Sequence, residues 1–185
     1  MTTRTAEQKP FLSVAAPRAA LDATRGDQLL YAGTSLLLLA GLRRDEATRL
    51  LVGDWSPGAY PQVRILGRQK RMIRVATTAA AAVDACLDGV EVEAEEPLLL
   101  GLKTAENPFQ MSRLFRLRMR ECGLNLNVYD LRRAAIAVVI NSGTPLAHIE
   151  AYFGLSKVAT SKQLVPVPGG YDRDIAILLE ETFAP

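Results

Sequence analysis

The stretch Ala40-Gly41-Leu42-Arg43-Arg44-Asp45-Glu46 decides how this chain is read. It follows a strongly apolar run from Asp27 to Ala40 and sets an acid, Glu46, three residues after an arginine, Arg43. Far downstream, Tyr129-Asp130-Leu131-Arg132-Arg133 supplies a second arginine, Arg132, at the head of another apolar run. Arginine suits phosphate because its planar fork grips two oxygens and stays charged. Cutting a phosphodiester through a covalent intermediate needs such cations on the phosphoryl oxygens. It also needs a general acid for the departing sugar oxygen and a hydroxyl nucleophile in line.

Working outward, 185 residues fit one domain, and the apolar content is sufficient for a core. The net charge of +2 does not by itself announce a nucleic-acid binder. The distribution of charge is more telling. Arg68, Lys70, Arg71 and Arg74 cluster, as do Arg113, Arg116, Arg118 and Arg120, while Glu91, Glu93, Glu95 and Glu96 form one acidic stretch. Cys86 and Cys122 stand far apart, in no metal-ligand or CxxC pattern, and read as reduced core thiols. No metal or cofactor is expected. The N-terminus has no apolar core of a signal peptide, and the longest apolar run, Leu36 to Ala40, is far too short to span a bilayer. The expected location is cytoplasmic, on the nucleoid.

The periodicity predicts a mainly α domain with a small antiparallel sheet. Residues 1–16 read as a flexible leader and 17–185 as a single domain. Helices are expected over Pro17–Thr24, Asp27–Ala40, Arg44–Leu51, Thr77 (as N-cap) to about Leu87, Pro108–Cys122 ended by Gly123, Leu131–Ile140 ended by Gly143, and Pro145–Phe153. A short helix, Ser156–Leu164, and a Pro166–Gly170 linker lead to an amphipathic helix, Asp172–Phe183. Val63–Leu66 and Met72–Ala76 alternate across the basic turn Gly67–Arg71, as a hairpin with a cationic tip would, and Val52–Trp55 offers a third strand. Arg113, Arg116 and Arg120 recur at helical spacing and share one face.

Taken together, these boxes resemble the catalytic domain of the tyrosine recombinases, or phage integrases. Gly41-Leu42-Arg43 with Glu46 resembles that family's first box, roughly Gly-Leu-Arg-x-x-Glu-Leu. The hairpin from Gly67 to Arg74 resembles the one that bears its catalytic lysine. Tyr129-Asp130-Leu131-Arg132-Arg133 resembles His-x-Leu-Arg-His, and Phe153-Gly154-Leu155-Ser156 resembles Leu-Gly-His-Ser. The resemblance runs over about residues 17 to 183 and implies a site in which Arg43 and Arg132 share one pocket. Lys70 (or Arg68) would lie nearby, and Glu46 would brace one arginine.

The departures matter as much. Tyr129 stands at the first histidine, Leu155 at the later one, and Leu164 in the nucleophile's slot. A leucine offers neither an attacking oxygen nor a proton. Arg43, Lys70 and Arg132 then remain as a catalytic remnant. Tyr171, seven residues past the slot, is the candidate for a displaced nucleophile. His148 is off the matched positions and reads as structural. The leading expectation is a DNA-binding protein derived from a tyrosine recombinase, the class that serves recombination and integration of mobile DNA, that no longer cuts strands. It would act in an accessory, regulatory or DNA-organising role. The DNA face would comprise Arg43, Arg68, Lys70, Arg71, Arg74, Arg113, Arg116, Arg120, Arg132 and Arg133, meeting a double-stranded partner. One alternative is an active recombinase using Tyr171. Another is an interaction module, in which helix 172–183 meets a second copy or a partner recombinase, as the resemblance implies. No N-terminal DNA-clamp domain is expected within this chain.

Overall fold

The computed structural model describes residues 13–67, 69–102, 109–155 and 171–184. Most of the expected leader, Arg68, Leu164, the Ser156–Leu164 helix and the Pro166–Gly170 linker lie outside these residues. At its centre is α2 (Gln28–Leu39), started by the Asp27 carboxylate, which accepts from the Leu30 amide at 3.0 Å. Its sequence is apolar on nearly every side, so it is buried on nearly every side, and Leu36 to Leu39 have no exposed surface. Each such leucine contributes about 1.5–3 kcal/mol of burial. Around α2 pack α1 (Ala15–Thr24), α4 (Thr77–Leu87), α5 (Gln110–Glu121), α6 (Val128–Asn141) and α8 (Tyr171–Phe183), while α7 (Leu146–Phe153) packs on α6 and α8.

The hairpin forms as its alternation predicts. Strands β2 (Gln62–Ile65) and β3 (Arg71–Arg74) pair antiparallel, with Val63 opposite Ile73. Val63, Ile65 and Ile73 point into the core, and Arg64 and Met72 point out. The third strand is shorter and later than expected. Only β1 (Trp55–Ser56) pairs, while Val52–Asp54 forms a 3-10 turn. That turn is closed by the Asp54 carboxylate, which accepts from the Leu51 amide at 3.1 Å and from Arg64 Nε at 2.9 Å.

Three other boundaries differ from expectation for identifiable reasons. Helix α3 (Arg44–Ala47) stops well short of Leu51. The backbone beyond it is drawn off by the acidic segment: Leu98 donates to Leu50 O at 2.8 Å, Val52 to Glu96 O at 2.9 Å and Gly53 to Ala94 O at 2.8 Å. Helix α4 is capped not by Thr77 but from a distant helix. The Glu180 carboxylate accepts from the amides of Thr77 (3.0 Å) and Thr78 (2.7 Å) and from the Thr78 hydroxyl (2.8 Å). Helix α6 begins at Val128, ahead of Leu131, because Asn127 and Asp130 cap each other's amides. Of the cysteines expected in the core, Cys86 is half-buried and Cys122, just beyond α5, is exposed; both are free thiols.

The last helix is seated on its own chain. Ile175, Ala176, Leu179 and Phe183 of α8 are buried, and Glu180 ties it to α4. Among the described residues, no helix is long and apolar enough to cross a membrane.

Candidate functional site

Arg43 is the residue before α3, with extended backbone, and its amide donates to Glu46 Oε2 at 2.9 Å. This local bond turns the Glu46 carboxylate back toward the helix start. There it meets Arg71, which enters from β3 and grips both oxygens: Nη1 to Oε1 at 2.9 Å and Nη2 to Oε2 at 3.0 Å. Arg132 enters from α6, with Nη1 at 4.0 Å from Glu46 Oε2. Segments far apart in sequence thus bring the Arg71 and Arg132 guanidiniums to one carboxylate, which the Arg43 amide holds in place.

The second half of the cradle is backbone. Helix α7 ends at Gly154 in the left-handed conformation, at φ 60°. Three successive carbonyls at that end each take one guanidinium. Tyr152 O accepts from Arg71 Nε at 2.8 Å, Phe153 O from Arg132 Nη2 at 2.6 Å, and Gly154 O from Arg43 Nη2 at 2.9 Å. Arg132 Nη1 also donates to Gly41 O. A helix C-terminus suits cations because its unpaired carbonyls carry partial negative charge. Glycine is required at both backbone contacts. A Cβ on Gly154 would come within 2.5 Å of Arg71 Nη1, and one on Gly41, also at φ 60°, within 2.1 Å of the Phe153 ring.

The cluster is short of negative charge. Burial works to raise the Glu46 carboxyl, but the Arg71 hydrogen bonds, the Arg43 amide and the charges of Arg71 and Arg132 outweigh it and hold the group below its ordinary range. Arg132 is pushed down to about 10, first by burial; Glu46 opposes that, while Arg43 and Arg71 add to it. It is still charged at neutral pH. Cations held this close favour further negative charge beside them.

Beside this cradle lies a cleft of about 650 Å³ between α3, α5 and the start of α6. Arg113, Arg116 and Arg120 line it from α5 and Arg44 from α3. Two aromatic rings, Phe109 and Tyr129, share the lining and are each 58% exposed. The Arg44 guanidinium stands 4.8 Å from the Phe109 ring centre and 5.9 Å from that of Tyr129.

The structure therefore brings Arg43 and Arg132 together with Glu46, as the resemblance implies, but the cation that joins them from the hairpin is Arg71. Its side chain, grouped by sequence with the DNA-facing cations, is 8% exposed and turned inward. Lys70 is exposed on the hairpin, and Arg74 lies over the Tyr60 ring at 5.0 Å. Arg133 is exposed, 3.9 Å from Asp130. Tyr129 faces the cleft and Arg44. Leu155 is half-buried against the core, and His148 is buried. Tyr171 is the first residue of α8, and its side chain lies outside what is described. Arg44 and Phe109 are absent from the sequence reading of the site. Arg44 carries the signal of charge beside Arg43, whereas Phe109 carries none.

The fold is that of the tyrosine-recombinase catalytic domain. The chain is similar to the crystal structure of XerA recombinase, with a TM-score of 0.70 and 18% identity over 100% of this chain and 67% of that one. It is similar to XerH site-specific recombinase bound to difH substrate in a pre-cleavage complex, at 0.58 and 14% over 92% of this chain and 50% of that one. A lambda integrase dimer bound to a COC′ core site matches at 0.55 and 15%, over 89% and 66%. This chain thus spans about half to two thirds of the length of these proteins. No protein-family model and no curated protein matches the sequence.

Proposed function

We propose that this domain binds double-stranded DNA through its phosphates and does not cut it. The observation that carries this reading is that the Arg71 and Arg132 guanidiniums meet at the single carboxylate of Glu46, while the Arg43 guanidinium is held beside them on the Gly154 carbonyl. It is a preformed cationic site in which each guanidinium is oriented by a backbone carbonyl. The arginine face of α5 extends the positive surface along the neighbouring cleft. Two of the recombinases of this fold were solved on DNA, XerH on difH and lambda integrase on a core site. Against cleavage stand Leu155 and Leu164, at the positions where the resemblance places a histidine and the nucleophile. Without an attacking oxygen there is no covalent step. The role is accessory, regulatory or DNA-organising.

The test uses one duplex in two forms, intact and nicked so that a cleaved strand is trapped. Retention of both forms in a gel shift, with no adduct surviving denaturation, is the expected result. An adduct that disappears in Tyr171→Phe makes the protein an active recombinase with a displaced nucleophile. Absence of binding to either form leaves the reading as an interaction module built on α8.

A further inference from the structure

The cleft between α3, α5 and α6 holds a feature that duplex phosphate alone does not call for. Arg44, Arg113, Arg116 and Arg120 answer a phosphate backbone by charge. Phe109 and Tyr129 do not. Both rings are more than half exposed inside a cationic cleft, where water gains nothing from them and the fold buries little of them. In intact duplex the base faces are stacked on one another and cannot reach an aromatic ring. An unpaired base offers a free face, and stacking on an aromatic side chain is worth about 1–3 kcal/mol per base. Arg44 lies over both rings, and its own flat guanidinium is a further stacking surface. Ser112 also lines the cleft, with its Oγ buried and without a hydrogen-bond partner among the described residues. The volume, about 650 Å³, lies within the range of roughly 300–1,000 Å³ usual for a small-ligand pocket and so admits a nucleotide.

We propose that this cleft takes an unpaired nucleobase, displaced from a DNA strand whose phosphates lie along Arg113, Arg116 and Arg120. Phe109, Tyr129 and Arg44 form the stacking surface. The proposal rests on the DNA-binding reading and adds to it a preference for DNA with an extrahelical or single-stranded base.

The experiment compares the full chain's affinity for an intact duplex with that for the same duplex carrying one bulged 2-aminopurine. The bulged form is expected to bind about 5- to 150-fold more tightly, the ratio that one stacked base confers, and the 2-aminopurine fluorescence is expected to fall on binding. In Phe109→Ala/Tyr129→Ala the preference and the quenching disappear while affinity for the intact duplex stays. Both side chains are exposed, and a melting curve of the variant checks that its fold is kept. In Arg113→Ala/Arg116→Ala both DNAs weaken together and the preference stays. Equal wild-type affinity for the two DNAs, or equal loss on both in the ring variant, overturns the stacking site and leaves the DNA reading standing. Loss of binding to both by the wild-type protein overturns the DNA reading itself, and this proposal with it.

Discussion

Arg71 and Glu46 form a two-pronged salt bridge, both contacts at 3.0 Å or less, with side chains only 8% and 9% exposed. The pair joins the sheet to the start of α3 and presents the Glu46 carboxylate to Arg132. A buried carboxylate between the Arg71 and Arg132 guanidiniums offsets their mutual repulsion, and removing it leaves them uncompensated. Glu46→Gln should therefore destabilise the fold by about 3–5 kcal/mol, the usual cost of breaking a buried pair on one side. Chemical denaturation at neutral pH measures it, and a loss below about 1 kcal/mol would refute the central role of this carboxylate.

The same group sets an acid-side dependence. Its folded pKa lies below its ordinary value, so its contribution is fully present above the ordinary carboxyl range, roughly pH 4.3. It is lost as pH falls through the lowered folded value. Stability measured against pH should drop on that acid limb in the wild-type protein and drop less in Glu46→Gln. Glu180, also held low despite its burial, contributes with the same sign. The variant's curve is thus expected to be flattened rather than flat.

Phosphate contact along α5 has a salt signature. Each phosphate neutralised contributes about 0.9 to the slope of log affinity against log salt. Arg113→Ala/Arg116→Ala should lower the slope by about 2 and weaken intact duplex at low salt. An unchanged slope would mean that the arginine face of the cleft is only solvated.

The carboxylate of Glu180 performs the work of an N-cap from a different helix. Losing a cap of this kind costs about 0.5–2 kcal/mol. Glu180→Ala should lower the melting temperature by several degrees, on the scale of about 2–4 °C per kcal/mol for a chain of this size. Thr78→Val, which removes only the hydroxyl contact, should cost less than Glu180→Ala; a larger loss would assign the cap's worth to the hydroxyl.

Inside α2, the Thr34 hydroxyl is fully buried with no hydrogen-bond partner among the described residues. An unsatisfied buried hydroxyl costs about 1–3 kcal/mol, and replacing it by a methyl of similar shape removes the cost. Thr34→Val is expected to raise stability by up to that amount. A destabilisation on thermal melting would show that the hydroxyl is satisfied in solution.

Sequence discloses the parts of this molecule that depend on near neighbours. The hairpin is legible because Val63, Ile65 and Ile73 alternate with outward residues, and α2 because its apolar run admits no other place. The start of α6 was equally available, since Asn127 and Asp130 stand at capping distance, although the apolar run from Leu131 draws the eye past them. What is not legible depends on remote backbone. The early stop of α3 is set by amides and carbonyls of residues 94–98, which have no side-chain signature. Glu46 is legible as an arginine's brace, but not that Arg71 would be gripped more closely than Arg132. That choice follows from the register of β3, which puts Arg71 at the strand's inward end. The three carbonyls at the end of α7 are invisible in any sequence, because every residue has one.

The seating of α8 bears on how copies of this chain could associate. Its apolar side is already taken up by Ile175, Ala176, Leu179 and Phe183 in the chain's own core, and Glu180 is locked onto α4. A copy that gave this helix away would expose a greasy trench and two bare amides at once, so donation without receipt is strongly disfavoured. Any association through α8 would therefore have to be an exchange in which every giver also receives, closing into a pair or a ring. Because the donated helix carries Glu180 with it, such an assembly would reproduce the same cap between chains. A Glu180→Ala copy mixed with wild type would then have its own α4 capped by a neighbour, and mixed rings would melt between the two parents.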